Sequence, residues 1–283
     1  MNDLDSTLIV PTTDSYKEAL VSPVYAKQLA YDREWRSNYA ACLKRVSRKW
    51  VENPLDQWSR KWEYPYVETQ LESMLDSGGQ HSGATVLDVG SGLSFFPFSI
   101  ASRHRDWDLY CLDNDPLYLA PASRLLSASG LQNIHFVQSD VVSLPFPTGS
   151  LDAIYSVSVM EHLPDWQHAL DELCRVLRPG GSMVLTFDVS LDGNRPLTVK
   201  LSLALLRSLA SSATVDEEKL QIASRLLTEP PACLLTTRSA CINRADLPWK
   251  WPRFMYALKW RSLSPFRQWP PNICLCCTVA RKQ

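Results

Sequence analysis

Short apolar runs alternate with amphipathic stretches over residues 84–188. The runs ATVLDV (84–89), DLYCLD (108–113), NIHFVQ (133–138), LDAIYSV (151–157) and SMVLTFD (182–188) read as strands. The helical period is clearest in 165–178, where Trp166, Ala169, Leu170, Leu173, Cys174 and Leu177 recur on one face. Asp165 is placed to cap that helix, and Pro179-Gly180-Gly181 to end it. Strands separated by helices of this length predict right-handed βαβ units and a parallel sheet.

The flanks follow other patterns. Glycine is absent before Gly78, and helices are expected through much of 15–76. This region is rich in aromatics, among them Tyr25, Tyr31, Trp35, Tyr39, Trp50, Trp58, Trp62, Tyr64 and Tyr66. Gly78-Gly79 and Ser82-Gly83 mark a loop. Beyond 188, helical patterns fall near 196–211 and 215–227. Residues 247–271 predict loops with one short helix around 253–261, and ICLCCTVA (273–280) a last strand with Cys274 and Cys276 on one face. The expected organisation is a helical, aromatic-rich cap over 1–80 and a sheet domain over 81–283, with an insertion at 189–271.

Composition narrows the class. The chain has 283 residues, 45% hydrophobic and 21% charged, with a formal net charge of -1. It can bury a substantial core, and it lacks the basic balance of a general nucleic-acid binder. No apolar run approaches the ~20 residues of a membrane span. MNDLDSTLIVP carries acids where a signal peptide carries bases, so a cytoplasmic protein is expected. Cys42, Cys111, Cys174 and Cys233 sit singly in apolar surroundings, which reads as reduced, buried thiols. His81, His104, His135 and His168 have no ligand spacing, and no metal is implied.

Candidate chemistry collects at the strand ends. The first strand closes on Asp88-Val89-Gly90-Ser91-Gly92, a turn that lets a ligand approach the backbone near a helix N-terminus. The second ends in Asp113, where a carboxylate can accept both hydroxyls of a ribose, and the third is followed by Ser139-Asp140. Each residue also has a purely local use, as turn, helix start or cap. Their joint placement at the carboxyl edge of a parallel sheet favours a ligand site.

VLDVGSG, CLDND, SDVVSLPF, LDAIYSVSVMEHL and LRPGGSMVLTF, in this order, resemble the motifs of class I S-adenosylmethionine-dependent methyltransferases. The resemblance covers about residues 84–188. It implies an α/β, Rossmann-like sheet, mostly parallel with an antiparallel last strand and helices on both faces. It implies S-adenosylmethionine as cofactor and S-adenosylhomocysteine as product. Gly90 and Gly92 would pass under the methionine part, Asp113 would take the ribose hydroxyls, and Asp140 with Val141 would border the adenine. Asp88, Ser91, Asn114 and Ser156 complete the expected cofactor set. The chain departs from the family at Ser94, where a third glycine is common, and Phe95, Phe96 and Phe98 follow.

In this family the turn after the fourth strand lies near the acceptor, which makes Glu161 and His162 candidate catalytic groups, with Asp188 at the end of the fifth strand. An imidazole suits proton transfer at neutral pH. Tyr39, Trp62, Tyr64 and Met160 are the expected acceptor contacts. The expected function is methyl transfer to N, O or C of a small molecule, a planar or apolar natural product. Alternatives are a sugar or lipid-linked glycan precursor, RNA or protein, or a cofactor-binding module without catalysis. The Asn/Asp-Pro-Pro-aromatic motif of amine-methylating enzymes that act on bases is missing. The stretch 247–283 interleaves Lys250, Arg253, Lys259, Arg261 and Arg267 with Trp249, Trp251, Trp260 and Trp269, which leaves peripheral membrane contact open. Oligomeric state has no signature in the sequence.

Overall fold

The structure is a computed structural model that describes residues 8–43, 54–76, 83–240 and 272–283. Its elements in chain order are β1 (Leu8–Ile9), α1 (Thr13–Leu20), α2 (Pro23–Leu43), α3 (Trp58–Asp76), β2 (Thr85–Val89), α4 (Phe95–Arg103), β3 (Asp108–Asp113), α5 (Leu119–Ser129), β4 (Ile134–Gln138), β5 (Leu151–Val157), α6 (Trp166–Val176), β6 (Leu177–Ser190), α7 (Val199–Ser212), α8 (Glu217–Thr228) and β7 (Ile273–Arg281). The strands form one sheet in the order β1-β7-β6-β5-β2-β3-β4. Strands β2 to β6 run parallel, and β7 returns antiparallel to β6.

Side-chain alternation along the strands divides the core between two faces. Val86 packs with α2, α3, α4 and α5 through Trp35, Trp62, Phe98 and Leu125. Leu87 and Val89 pack with α6, α7 and α8 through Leu170, Leu173, Leu206 and Leu227. The N-terminal helices and the sheet therefore share one apolar layer. The boundary expected near residue 80 falls outside the described residues, as do Trp50 and the whole of 247–271.

Local chemistry explains the elements. Asp165 caps α6, accepting from the His168 N–H at 3.1 Å. The helix buries Ala169, Leu170, Leu173 and Val176 along one stripe. It stops at Val176, and Pro179-Gly180-Gly181 lies inside the long strand β6 rather than in a helix-ending loop. Gly181 is required there: a Cβ would come within 2.9 Å of the Asp152 carbonyl oxygen. Ser94, at the position where a glycine was expected, is the N-cap of α4 and accepts from the Phe96 N–H at 3.3 Å.

The cysteine expectation needs revision. Cys111 is buried, Cys42 and Cys174 are partly buried, and Cys233 is exposed. Cys274 and Cys277 stand three apart on β7, but the two-residue period sends them to opposite faces: Cys274 packs in the second core and Cys277 in the first. That spacing does not make a ligand pair.

Asn133 closes the junction between α4 and β3. Its side-chain N–H groups reach the carbonyl oxygens of Ala101, His104 and Trp107 at 3.1, 2.9 and 2.9 Å. Asn133→Ala should strand these acceptors at a buried helix end and cost about 2 kcal/mol. Urea denaturation would show this as a lower midpoint with an unchanged slope.

Candidate active site

The carboxyl ends of β2, β3, β5 and β6 open onto a cavity of about 570 Å³. Its walls include Asp88, Gly90, Ser91 and Gly92 after β2, Asp113 and Asn114 after β3, and Asp140 and Val141 after β4. Glu161 and His162 from the turn after β5, Asp188 from β6, and Arg60 and Tyr64 from α3 complete the rim. These residues are far apart in sequence and meet because the parallel strands all end on one edge.

The glycine turn is built by backbone geometry. Gly90 and Gly92 have φ of 70° and 53°, where only glycine rests without strain. The Gly90 and Ser91 N–H groups both donate to the Leu112 carbonyl, at 2.8 and 3.0 Å. Asp113 braces the same turn. One carboxylate oxygen accepts from Gly92 N–H and the other from Asp115 N–H, each at 2.9 Å. Each oxygen retains a second lone pair for a ligand hydroxyl.

Asp88 lies beneath this turn, 4% exposed, and accepts from the Tyr155 hydroxyl at 2.9 Å. Burial pushes its carboxyl up to about 8, against the Tyr155 hydrogen bond and with added repulsion from Asp113. A cation next to it would relieve that penalty.

The opposite end of the cavity rests on a network that sequence reasoning missed. Arg60 pairs with Glu63 one helical turn along α3. Arg60 also donates to the Ser158 hydroxyl at 2.7 Å. Glu63, fully buried, accepts from Ser158 Oγ at 2.7 Å and from Thr186 Oγ1 at 2.6 Å. Ser158 has φ 53° and, among the described residues, is the one non-glycine in the left-handed region. The network thus holds a strained turn that carries Val159 onto Gly90. The signal in sequence was faint: Arg60 and Glu63 have the i,i+3 spacing of an ordinary surface pair.

Glu161 is 7% exposed, and neither carboxylate oxygen has a hydrogen-bond partner in another residue. Asp188 Oδ1 is likewise unpartnered. Burial and the Asp188 charge raise Glu161 well above the usual carboxylate range. Burial and Glu63 lift Asp188 to about 7, against Arg60 and Arg195. His162 is exposed at the rim; partial desolvation, Arg60 and Arg195 lower its pKa, so its ring is neutral at pH 7.

Four expected contacts do not face the cavity. Ser156 is fully buried and donates to the Val89 carbonyl at 3.3 Å, tying β5 to β2. Trp62 and Met160 are fully buried in the two cores. Tyr39 packs on Trp35 with ring centroids 4.4 Å apart. Of the expected acceptor contacts only Tyr64 reaches the wall, stacked flat on Phe96 at 4.2 Å.

Residues 87–185 match the sequence model of a methyltransferase domain. An uncharacterized methyltransferase of Mycobacterium sp. (strain JLS) is 38% identical over 109 residues, 38% of this chain and 40% of the relative. A demethylmenaquinone methyltransferase of Thermus thermophilus is 34% identical over 100 residues, 35% of this chain and 45% of the relative. The match spans less than half the length of these curated relatives. A structure from Galdieria sulphuraria, provisionally assigned as a sarcosine dimethylglycine methyltransferase, superposes with a TM-score of 0.50 at 17% identity, covering 90% of this chain and 98% of that one, a likeness of fold. Residues 87–185 thus match a methyltransferase domain in sequence, and the strands they form make the parallel centre of the sheet.

Proposed function

We propose that the chain binds S-adenosylmethionine in the cavity and transfers its methyl group to a small-molecule acceptor. The observation that carries this reading is the cavity itself. One end has side-chain-free backbone at Gly90 and Gly92 with Asp88, Asp113 and Asp140 around it, and the other gathers Glu161, His162 and Asp188. Its volume is that of a small-molecule site.

The residues fit the cofactor on chemical grounds. Asp88 is a buried carboxyl suited to an ammonium, and the free lone pairs of Asp113 suit ribose hydroxyls. Asp140 and Val141 border the place of the adenine. S-adenosylmethionine supplies a methyl group already activated by its positive sulfur. The protein's task is to align the acceptor, exclude water and manage one proton. Orientation of this kind contributes up to ~7–11 kcal/mol. His162, neutral and exposed at the rim, is placed to pass a proton to solvent.

The acceptor's character follows from the far end of the cavity. The aromatic residues that suggested a planar, apolar molecule are mostly core residues, and Arg60, Glu161, His162 and Asp188 give that end a polar lining. A diffusible acceptor fits a cytoplasmic protein. Among the described residues no helix is long and apolar enough to cross a membrane. RNA as acceptor would show itself as binding that weakens steeply with salt.

Asp113→Ala tests the cofactor assignment. It removes the ribose acceptors and the brace on Gly92, and calorimetry should show S-adenosylhomocysteine affinity falling roughly 100-fold, from about two charge-assisted hydrogen bonds. Unchanged affinity in a folded variant would reject the placement.

A further inference from the structure

Resting on the methyltransferase reading above, we propose that the acceptor end of the cavity is a subsite for an amine, bound as its ammonium by the paired carboxyl groups of Glu161 and Asp188 and methylated on nitrogen.

Glu161 is more than nine-tenths buried, lines the cavity, and has two oxygens that accept nothing from another residue. Asp188, on the adjacent strand, lines the same cavity and leaves Oδ1 without a partner. Buried acceptors without donors are costly, and a structure that keeps two together at the wall of a cavity has room for a donor that comes from outside.

The neighbouring charges do not fill that role. Arg60, on α3, is committed to Glu63 and to the Ser158 hydroxyl. Glu63, on the same helix, adds negative charge, and His162 is neutral. Arg195, beyond β6, pulls Asp188 down without preventing its net rise. Among the described residues no group of three or more His, Cys, Asp or Glu could hold a metal ion.

An incoming ammonium brings both a positive charge and several N–H donors, and satisfies both carboxyls at once. A hydroxyl offers one donor and no charge, and a carboxylate or phosphate is repelled. The chemistry then balances. The ammonium gives one proton to the carboxylate of the pair and becomes a neutral amine. The nitrogen lone pair forms the N–C bond while the C–S bond breaks, and that electron pair stays on sulfur. The product leaves as the methylated ammonium, and the carboxyl returns the proton it took to solvent past His162, which restores the carboxylate for the next turnover.

The test uses the full chain saturated with S-adenosylhomocysteine. Amines of graded size are titrated calorimetrically, each beside its isosteric alcohol and carboxylate. At least one amine should bind roughly tenfold or more tightly than its alcohol, as charge-assisted pairing predicts. Glu161→Gln and Asp188→Asn should each remove that preference and leave S-adenosylhomocysteine affinity unchanged. No amine better than its alcohol, or a preference that survives both substitutions, overturns the amine subsite and leaves the cofactor reading standing. Failure of S-adenosylhomocysteine to bind the unaltered chain overturns the methyltransferase reading and this inference with it.

Discussion

Gly90→Ala is expected to weaken cofactor binding by about 100-fold while costing the fold only ~2–3 kcal/mol. Two effects combine at this position. The backbone sits at φ 70°, where an L side chain costs roughly 1–2 kcal/mol. The added Cβ would also fall 2.4 Å from Val159 Cγ2, so the turn after β5 has to retreat. That retreat disturbs the glycine turn and the acceptor end together. Calorimetric titration with S-adenosylhomocysteine measures the loss, and the double variant with Val159→Ala separates its causes. Recovery of part of the affinity in the double variant identifies the contact; none would leave backbone strain as the whole effect.

Glu63→Ala is the substitution with the largest expected effect on stability. It removes the counter-charge of Arg60 and the shared acceptor of Ser158 and Thr186, all in a nearly dry environment. Breaking one side of a buried, hydrogen-bonded ion pair costs ~3–5 kcal/mol, a fall in Tm of roughly 10 °C for a chain of this size. Glu63→Gln keeps an acceptor for the hydroxyls and should lose about half as much. The two variants should also differ at the site, since the alanine frees Ser158 to leave its left-handed conformation. A thermal melt with each variant, with and without S-adenosylhomocysteine, checks both statements. Equal melting temperatures for Glu63→Ala and the unaltered chain would remove the network from the account.

The central architecture was legible because its signals are local. DLYCLD and LDAIYSV appear as strands at the same residues that their apolar pattern marks. Asp165 announces its helix by a side chain that caps it. Asp88, Gly90, Asp113 and Asp140 converge because parallel strands end on one edge, a rule that strand order alone supplies.

What stayed hidden depends on partners far along the chain. Strand β1 is only two residues, Leu8 and Ile9, and its pairing with Thr278 and Cys277 leaves no local trace. The aromatic residues of the first helices are equally suited to a binding wall or a core. Trp62 and Tyr39 went into packing, while Tyr64, two residues beyond Trp62, reached the cavity. The Arg60–Glu63 pair acquires meaning only once Ser158 and Thr186 are brought against it.

The β1–β7 pairing sets an order of assembly. Leu8 finds its neighbour in Thr278, and the Thr13 N–H donates to the Cys233 carbonyl, so segments very far apart along the chain bond to each other. Closing so large a loop is slow relative to the nearby βαβ contacts of residues 85–157. While it waits, β7 cannot receive its outer neighbour, and the N-terminal segment has an unpaired apolar stretch to protect. A nascent chain of this protein should therefore pass through a stage with a formed parallel half-sheet and an unfinished edge, the stage at which it most needs a chaperone.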